Sequence, residues 1–343
     1  MIVFRTDANK DIATGHVMRC LSIAEQLRGL GKEILFILSE NYFSDKILER
    51  GYQVQCLNND YRQKEEEIEL LLEFLQNMNV ELLLIDSYQI TENYMNNIRD
   101  RCMGIKLAYI DDLKMFDYPV DCLINYTYGA TDIGYSKAGR LLLGSEYTPL
   151  RGQFSFCDQT AVQRKNKKIE NIFITSGGTD QYHLIVQLVR KLQNSAFERC
   201  RKMVVVGKFY EDMRELQALG KEDKALEVYQ NVENMAALMR CCDIAVSAGG
   251  TTVSELFACG VPVIAFSMAD NQQGVKNLAN HRLLCYAGDT RNGMDELIDR
   301  ILGIMEELDE DYGTRCQMAK DSHRVVDGLG AKRIAEVLYE MCE

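Results

Sequence analysis

The chain has 343 residues, 47% of them hydrophobic and 26% charged. That is an ordinary soluble composition, and it is more chain than one hydrophobic core usually holds, so two domains are expected. A formal net charge of −12 argues against a nucleic acid polymer as partner, because such binding rests on many phosphate contacts by Lys and Arg.

A small anion held by backbone N–H groups at a helix start remains compatible with that charge. No apolar run approaches the eighteen residues that would span a bilayer. The opening segment is short, mixed and followed by charge, unlike a signal or transit peptide. The expectation is a cytoplasmic protein with no membrane partner. The twelve cysteines scatter through apolar runs, as at Cys20, Cys56, Cys102, Cys122, Cys200, Cys259 and Cys285, and none pairs at zinc spacing. They read as small buried hydrophobes in a reducing compartment, with no metal site.

From the N-terminus, IVFRTD reads as a strand and HVMRCLSIAEQLRGLG as an amphipathic helix ending at glycine. EILFILS, YQVQCL, VELLLIDSY, KLAYIDD and VDCLINY follow as strands. FSDKILERG, EEEIELLLEFLQNMN and ENYMNNIRDRCMG are helices among them. A polar stretch, CDQTAVQRKNKKIEN, has no hydrophobic period and reads as an interdomain linker. Alternation then resumes with NIFITSGG, RKMVVVG, ALEVYQNV, DIAVSAGG, VPVIAFSM and LCYAG as strands separated by helices. Short apolar strands alternating with helices imply parallel sheets covered on both faces, with right-handed crossovers. The expected fold is α/β, two Rossmann-like parallel-sheet domains facing a central cleft. The expected bounds are 1–155, 165–325, and a terminal helix over 326–343 crossing back to the first domain.

Three stretches carry polar chemistry at strand ends. The first is Arg5, Asp7, Thr14, Gly15 and His16. Gly15 permits close backbone approach, Thr14 can cap the helix, and His16 sits at the positive end of a helix dipole, which favours a neutral, proton-accepting ring. With a carboxylate such as Asp7 nearby, His16 suits a general base; the alternative is a histidine that merely caps the loop. The second is TSGGTDQYH, where Gly177 and Gly178 lead into Thr179 and Asp180, suiting either a phosphate or a glycine turn capped by Asp180. No Walker lysine follows. The third is SAGGTTVSELFACGVPVI. Gly249, Gly250, Thr251 and Thr252 offer N–H groups and hydroxyls at a helix start, and Glu255 one turn on suits a ribose diol. Glu255 also fits a capping box from Thr252. Asn271 and Gln272 in ADNQQ follow the next strand. Tyr88, Tyr126, Tyr128 and Tyr135 lie near strand ends or loops of the first domain, and their spacing does not separate sugar contacts from core caps.

DANKDIATGHVMRCLSIAEQL, YIDDL, CLINYTYG, LLLGSEYTPLRGQF, ITSGGTDQ, SAGGTTVSELFACGVPVIAF and ADNQ occur in that order. Together they resemble the UDP-2,4-diacetamido-2,4,6-trideoxy-β-L-altropyranose hydrolases of pseudaminic acid biosynthesis and the similar spore-coat polysaccharide proteins. The resemblance covers nearly the whole chain, and its most specific block is G-H-V-M-R-C, Gly15 to Cys20. It implies a GT-B fold, a UDP-sugar substrate, attack of water at the anomeric carbon, and no required metal or cofactor. The residues it implies at the site are His16 as catalytic residue, Gly249, Gly250, Thr251, Thr252 and Glu255 at the nucleotide, and Asn271 near the diphosphate and sugar. From their positions at strand ends and helix starts, Arg5, Gly15, Arg19, Gly177, Gly178 and Gln272 are also expected at substrate or nucleotide. Asp7 or a tyrosine would orient the ring or the water. A monomer or weak dimer is expected.

The sequence departs from that pattern at Ala13, at Gln181 and at Gly152-Gln153, and it has no Trp. These changes leave the nucleotide reading intact and put the identity of the sugar in question. A sugar transferase using a UDP-sugar donor and a non-catalytic nucleotide-sugar binder are the rival readings. No basic amphipathic helix of the kind a lipid acceptor favours is visible in the first half.

Overall fold

The computed structural model describes residues 1–12, 14–155, 166–207, 210–272 and 274–343, with the side chain of Asn271 also outside the description. The chain divides into two compact units, Met1–Gly152 with Leu329–Glu343, and Gln153–Gly328. Most of the polar stretch read as a linker, and Ala13, lie outside the described residues.

The first unit holds β1 (Ile2–Thr6), β2 (Ile34–Leu38), β3 (Gln53–Cys56), β4 (Leu82–Asp86), β5 (Lys106–Ile110), β6 (Cys122–Asn125) and β7 (Arg140–Leu143). They form one sheet in the order β3-β2-β1-β4-β5-β6-β7, every adjacent pair parallel. Its helices are α1 (Gly15–Gly29), α2 (Ser44–Leu48), α3 (Ile68–Gln76), α4 (Glu92–Arg101) and α12 (Gly330–Glu340). Successive strand residues point to opposite faces, and both faces are apolar. Ile2, Phe4, Leu82 and Leu84 pack with Val17, Leu21 and Ala24 of α1 and Ile334 and Leu338 of α12. Val3, Leu83, Ile85 and Leu107 pack with Leu71 and Leu75 of α3 and Tyr94 and Ile98 of α4. The C-terminal segment α12 therefore completes the first unit's core. A Cβ on Gly330 would stand 2.2 Å from the carbonyl oxygen of Thr148, so only glycine allows that approach.

Strand β7 has no counterpart in the sequence pattern. It is four residues at the sheet edge, half exposed, and joined to β6 by a single short 3-10 turn with no α-helix. It therefore lacks both the buried run and the helical spacer that mark the other strands.

The second unit holds β8 (Asn171–Thr175), β9 (Arg201–Val206), β10 (Leu226–Gln230), β11 (Ile244–Ala248), β12 (Val263–Ser267) and β13 (Cys285–Asp289), in the order β10-β9-β8-β11-β12-β13. All are parallel. Around them lie α5 (Leu184–Leu192), α6 (Met213–Glu222), α7 (Met235–Arg240), α8 (Thr251–Ala258), α9 (Gly274–Asn280), α10 (Met294–Glu310) and α11 (Tyr312–Val325). Each sheet reverses its winding once, between β1 and β4 in one unit and between β8 and β11 in the other. Open α/β sheets bind ligands at the carboxyl ends of strands around such a reversal.

Candidate functional site

In the first unit the reversal point carries a histidine–carboxylate pair. His16, the second residue of α1, is 7% exposed, and Asp86, the last residue of β4, is fully buried. Parallel pairing of β1 with β4 sets Thr6 opposite Asp86, which brings that carboxylate beneath the start of α1. His16 Nδ1 lies 2.7 Å from Asp86 Oδ1. A carboxylate only accepts, so Nδ1 carries a proton, and in the tautomer this selects the lone pair of the ring lies on Nε2. No described residue hydrogen-bonds Nε2.

Arg19, one turn further along α1, clamps the carboxylate. Its Nε donates to Asp86 Oδ2 at 2.6 Å, and its Nη2 donates to Oδ1 while packing 3.0 Å from His16 Nδ1. Its Nη1 donates to Tyr126 at 2.5 Å and to Asp112 Oδ2 at 3.2 Å. Burial pushes the Asp86 carboxyl up, but Arg19 and then His16 outweigh it and hold it at about 2, so it is ionised at neutral pH. Tyr88 donates to Asp112 Oδ2 at 2.8 Å. Its ring stands edge-on to His16, centroids 4.5 Å apart. Asp112 Oδ1 is buried with no partner, an acceptor left without a donor.

This arrangement departs from the sequence reading at Asp7 and Arg5. The carboxylate on His16 is Asp86 and not Asp7. Asp7 accepts from Arg5 Nη1 at 2.9 Å, from the Ser39 backbone N–H at 2.7 Å and from Lys64 Nζ at 2.5 Å. Burial would raise its carboxyl, yet Arg5 and Lys64 bring it well below the usual range. Arg5, expected at the ligand, is fully buried. It donates from Nε and Nη2 to the two oxygens of Glu67 at 2.7 and 2.6 Å, with Tyr94 also on Glu67. Arg19, expected likewise, has its guanidinium engaged by Asp86, Asp112 and Tyr126, which places it beside His16 as the clamp on the carboxylate. A charged side chain after a strand reads the same in sequence whether it meets a ligand or a partner sixty residues away. Asp86, Asp112 and Lys64 were not singled out by the sequence. The only signal was an Asp closing each apolar run, in LLLID and YIDD.

Among the other tyrosines, Tyr135 is buried, bonding Asp111 and Asn125, which assigns it to the core. Gly15 opens α1 with nothing within 4 Å of where a Cβ would stand. Thr14 occupies the N-cap position without a side-chain cap bond.

In the second unit the two glycine turns line one cavity of about 460 Å³, whose walls include Thr175, Ser176, Gly177, Gly178, Gly250, Thr251, Thr252 and Gln272. The turns are not equivalent. Asp180 accepts from the Leu184 and Ile185 N–H groups at 3.1 and 2.9 Å, so its carboxylate already occupies the start of α5. The start of α8 is open. Gly250 is its N-cap residue, which rules out a capping box from Thr252 to Glu255. The Gly249 and Gly250 N–H groups are spent on Phe266 and Ala248 carbonyls. The first-turn amides of Thr251 and Thr252 cannot be satisfied within the helix, which is the chemistry by which a helix start can take an anion.

Gly249 is required because a Cβ there would meet Val275 at 2.7 Å. Gly207, at the end of β9 and unremarked in the sequence, is required more strictly, since its Cβ would fall 2.1 Å from the Gly178 carbonyl oxygen. Gln272 accepts from the Met268 N–H at 2.8 Å, which fixes its side chain at the cavity wall. Asn271 lies in the adjacent 3-10 turn, its side chain outside the described residues. Ser176 Oγ, also at the wall, is buried and unpartnered. Among the described residues no group of three or more His, Cys, Asp or Glu comes together as a metal site, and no helix is long and apolar enough to cross a membrane.

Two Rossmann-like units of seven and six parallel strands define the class, the GT-B fold of glycosyltransferases. Among solved structures, MurG of Acinetobacter baumannii aligns with a TM-score of 0.72 at 13% identity, covering 99% of both chains. Arabidopsis thaliana UGT89C1, in a complex with UDP-L-rhamnose, aligns with a TM-score of 0.66 at 13% identity over 100% of this chain and 99% of that one.

In sequence, residues 171–306 match the family model of glycosyl transferases group 1. The uncharacterized protein MJ1062 of Methanocaldococcus jannaschii is 28% identical over 285 residues, 79% of this chain, which spans 56% of that protein's length. The spore coat polysaccharide biosynthesis protein SpsG of Bacillus subtilis is 22% identical over 98% of this chain and 97% of its own. The UDP-2,4-diacetamido-2,4,6-trideoxy-beta-L-altropyranose hydrolase of Campylobacter jejuni is 24% identical over 79% of this chain and 93% of its own.

Proposed function

We propose that the protein is an enzyme that hydrolyses a UDP-linked 2,4-diacetamido-trideoxy sugar at its anomeric carbon, releasing UDP and free sugar for a nonulosonic acid of the pseudaminic type or a surface polysaccharide. The observation that carries this reading is His16 held by Asp86 through Nδ1, with Nε2 unbonded. Nε2 takes a proton from water as the water oxygen bonds to the anomeric carbon. The bond from that carbon to the β-phosphate oxygen breaks, and its electron pair leaves with UDP. Asp86 keeps the ring in the proton-accepting tautomer and offsets the positive charge that forms on it, the role a buried carboxylate plays beside a catalytic histidine. The second unit's cavity receives the nucleotide. The Thr251 and Thr252 amides take the diphosphate, Glu255 the ribose, and the amide dipoles stabilise the departing charge. No metal is needed in this scheme.

The hydrolase and spore-coat relatives support the choice of a sugar nucleotide. The fold neighbours and the group 1 family match support the second reading, a glycosyltransferase with a UDP-sugar donor. Incubation with UDP-2,4-diacetamido sugars and no acceptor separates them, with products followed by mass spectrometry and NMR. Stoichiometric UDP and free sugar support hydrolysis, and no turnover without an acceptor alcohol overturns it.

A further inference from the structure

The carboxyl face of the first unit's sheet is divided by the loop that leads into α1. On one side, over β4, β5 and β6, lie Asp86, Tyr88, Asp112 and Tyr126 around His16. On the other, over β1, β2 and β3, a separate cavity of about 470 Å³ is lined by residues from the three loops after those strands, a volume within the roughly 300–1,000 Å³ of small-molecule sites. Nothing in the proposed hydrolysis uses it.

Its chemistry is mixed in a particular way. Asn9 is 6% exposed. Its Oδ1 accepts from the Asp11 and Ile12 N–H groups at 2.9 and 3.0 Å, which fixes the side chain, while its Nδ2 has no partner among the described residues, and Asn9 lines the cavity. The carboxylates of Asp11, Glu40 and Asp60 and the cations of Lys10 and Arg62 share that wall, three negative charges against two positive. Asp11 is held in place by Tyr61 at 3.2 Å and Arg62 at 2.5 Å. Tyr42, 47% exposed, adds an open aromatic ring. The slight negative balance opposes a phosphate-bearing ligand. A fixed amide donor, several acceptors and one ring face match a molecule whose groups both donate and accept and whose carbon skeleton packs on an aromatic.

We propose that this cavity binds a neutral saccharide, as a second sugar site beside the one at His16. Asn9 Nδ2 donates to a sugar oxygen, the three carboxylates accept from hydroxyl or amide N–H groups, and the Tyr42 ring packs on a pyranose face. The inference rests on the cavity and not on the hydrolysis, so its test reads binding without turnover.

N,N′-diacetylchitobiose, uncharged and rich in both hydroxyl and acetamido groups, is the probe, titrated into the full chain and followed by saturation-transfer NMR. Asn9→Asp keeps the oxygen that holds the loop and replaces the free donor with an acceptor. Tyr42→Ala removes an exposed ring at no cost to the core. Each should weaken saturable binding about three- to tenfold, the size of one lost net interaction, while binding persists in His16→Asn. Should Asn9→Asp fail to fold, Tyr42→Ala carries the test. Absence of saturable binding overturns the proposal. So does equal binding by wild type and the cavity variants, displacement of the disaccharide by inorganic phosphate, or loss of binding in His16→Asn.

Discussion

Replacing Asp86 by Asn preserves size and removes charge, and no orientation of the amide satisfies its neighbours. With the NH2 in place of Oδ1 it faces His16 Nδ1–H and Arg19 Nη2, and in place of Oδ2 it faces Arg19 Nε. One orientation drives the histidine proton to Nε2 and removes the base; the other leaves a buried guanidinium facing a donor. The carboxyl moves from an ordinary value of 3.8 to about 2 in the fold, which at about 1.4 kcal/mol per unit corresponds to about 2 kcal/mol of stability. Stranding the nearly buried Arg19 brings the expected loss to about 3–5 kcal/mol.

Because the folded carboxyl is depressed, that stabilisation is fully present above about pH 4 and disappears as pH falls through about 2. The wild type and Asp86→Asn should therefore converge in stability in acid. Urea unfolding reads the loss, and UDP release from the UDP-sugar reads an expected fall in kcat of about 10²- to 10⁴-fold, the general-base range. UDP affinity by calorimetry should stay unchanged, since the second unit holds the nucleotide in this scheme. A folded Asp86→Asn protein with near-normal kcat would refute the pairing as the source of activity.

His16→Ala should lower kcat by about 10²- to 10⁴-fold with little change in KM. In solvent H₂¹⁸O the label should appear on the sugar and not in UDP, and label in phosphate would reject attack at carbon. Glu255→Ala should weaken UDP binding by about 1–3 kcal/mol without a Mg²⁺ requirement, measured by calorimetry. Gly207→Ala must displace the Gly178 carbonyl, so UDP affinity should fall while a purely local effect would leave it intact. Arg5→Ala takes the buried guanidinium from between Asp7 and Glu67 and leaves Lys64 alone against two buried carboxylates, so urea unfolding should show a loss of about 3–5 kcal/mol with UDP affinity retained, the opposite of what a ligand-binding Arg5 would give.

Strand and helix alternation is a local property. Apolar runs of five, glycine at helix ends and helical spacing at three and four are written into neighbouring residues, so the parallel α/β architecture and the polar strand ends follow from the sequence. His16 and the glycine turns were visible for the same reason, since each stands next to the element that presents it. Strand β7 was not, because an exposed four-residue edge strand has neither a buried run nor a flanking helix to announce it.

Partnership across the sheet is a different kind of information. Asp86 is seventy positions from His16 and meets it only because β4 pairs with β1, skipping the two strands between them in sequence. Arg5 and Asp7 look like site residues until Glu67 and Lys64 arrive from beyond β3 to neutralise them in the core. Both glycine turns offer a phosphate cradle in sequence. The fold distinguishes the helix starts behind them, because Asp180 turns back onto α5 while the N-cap residue of α8, Gly250, has no side chain to cap it. The sequence by itself determined which elements form and which side chains stand at their ends; only the tertiary structure decided which of those charges are paired with one another and which remain for a substrate, because pairing is set by strand order and register across residues far apart in the chain.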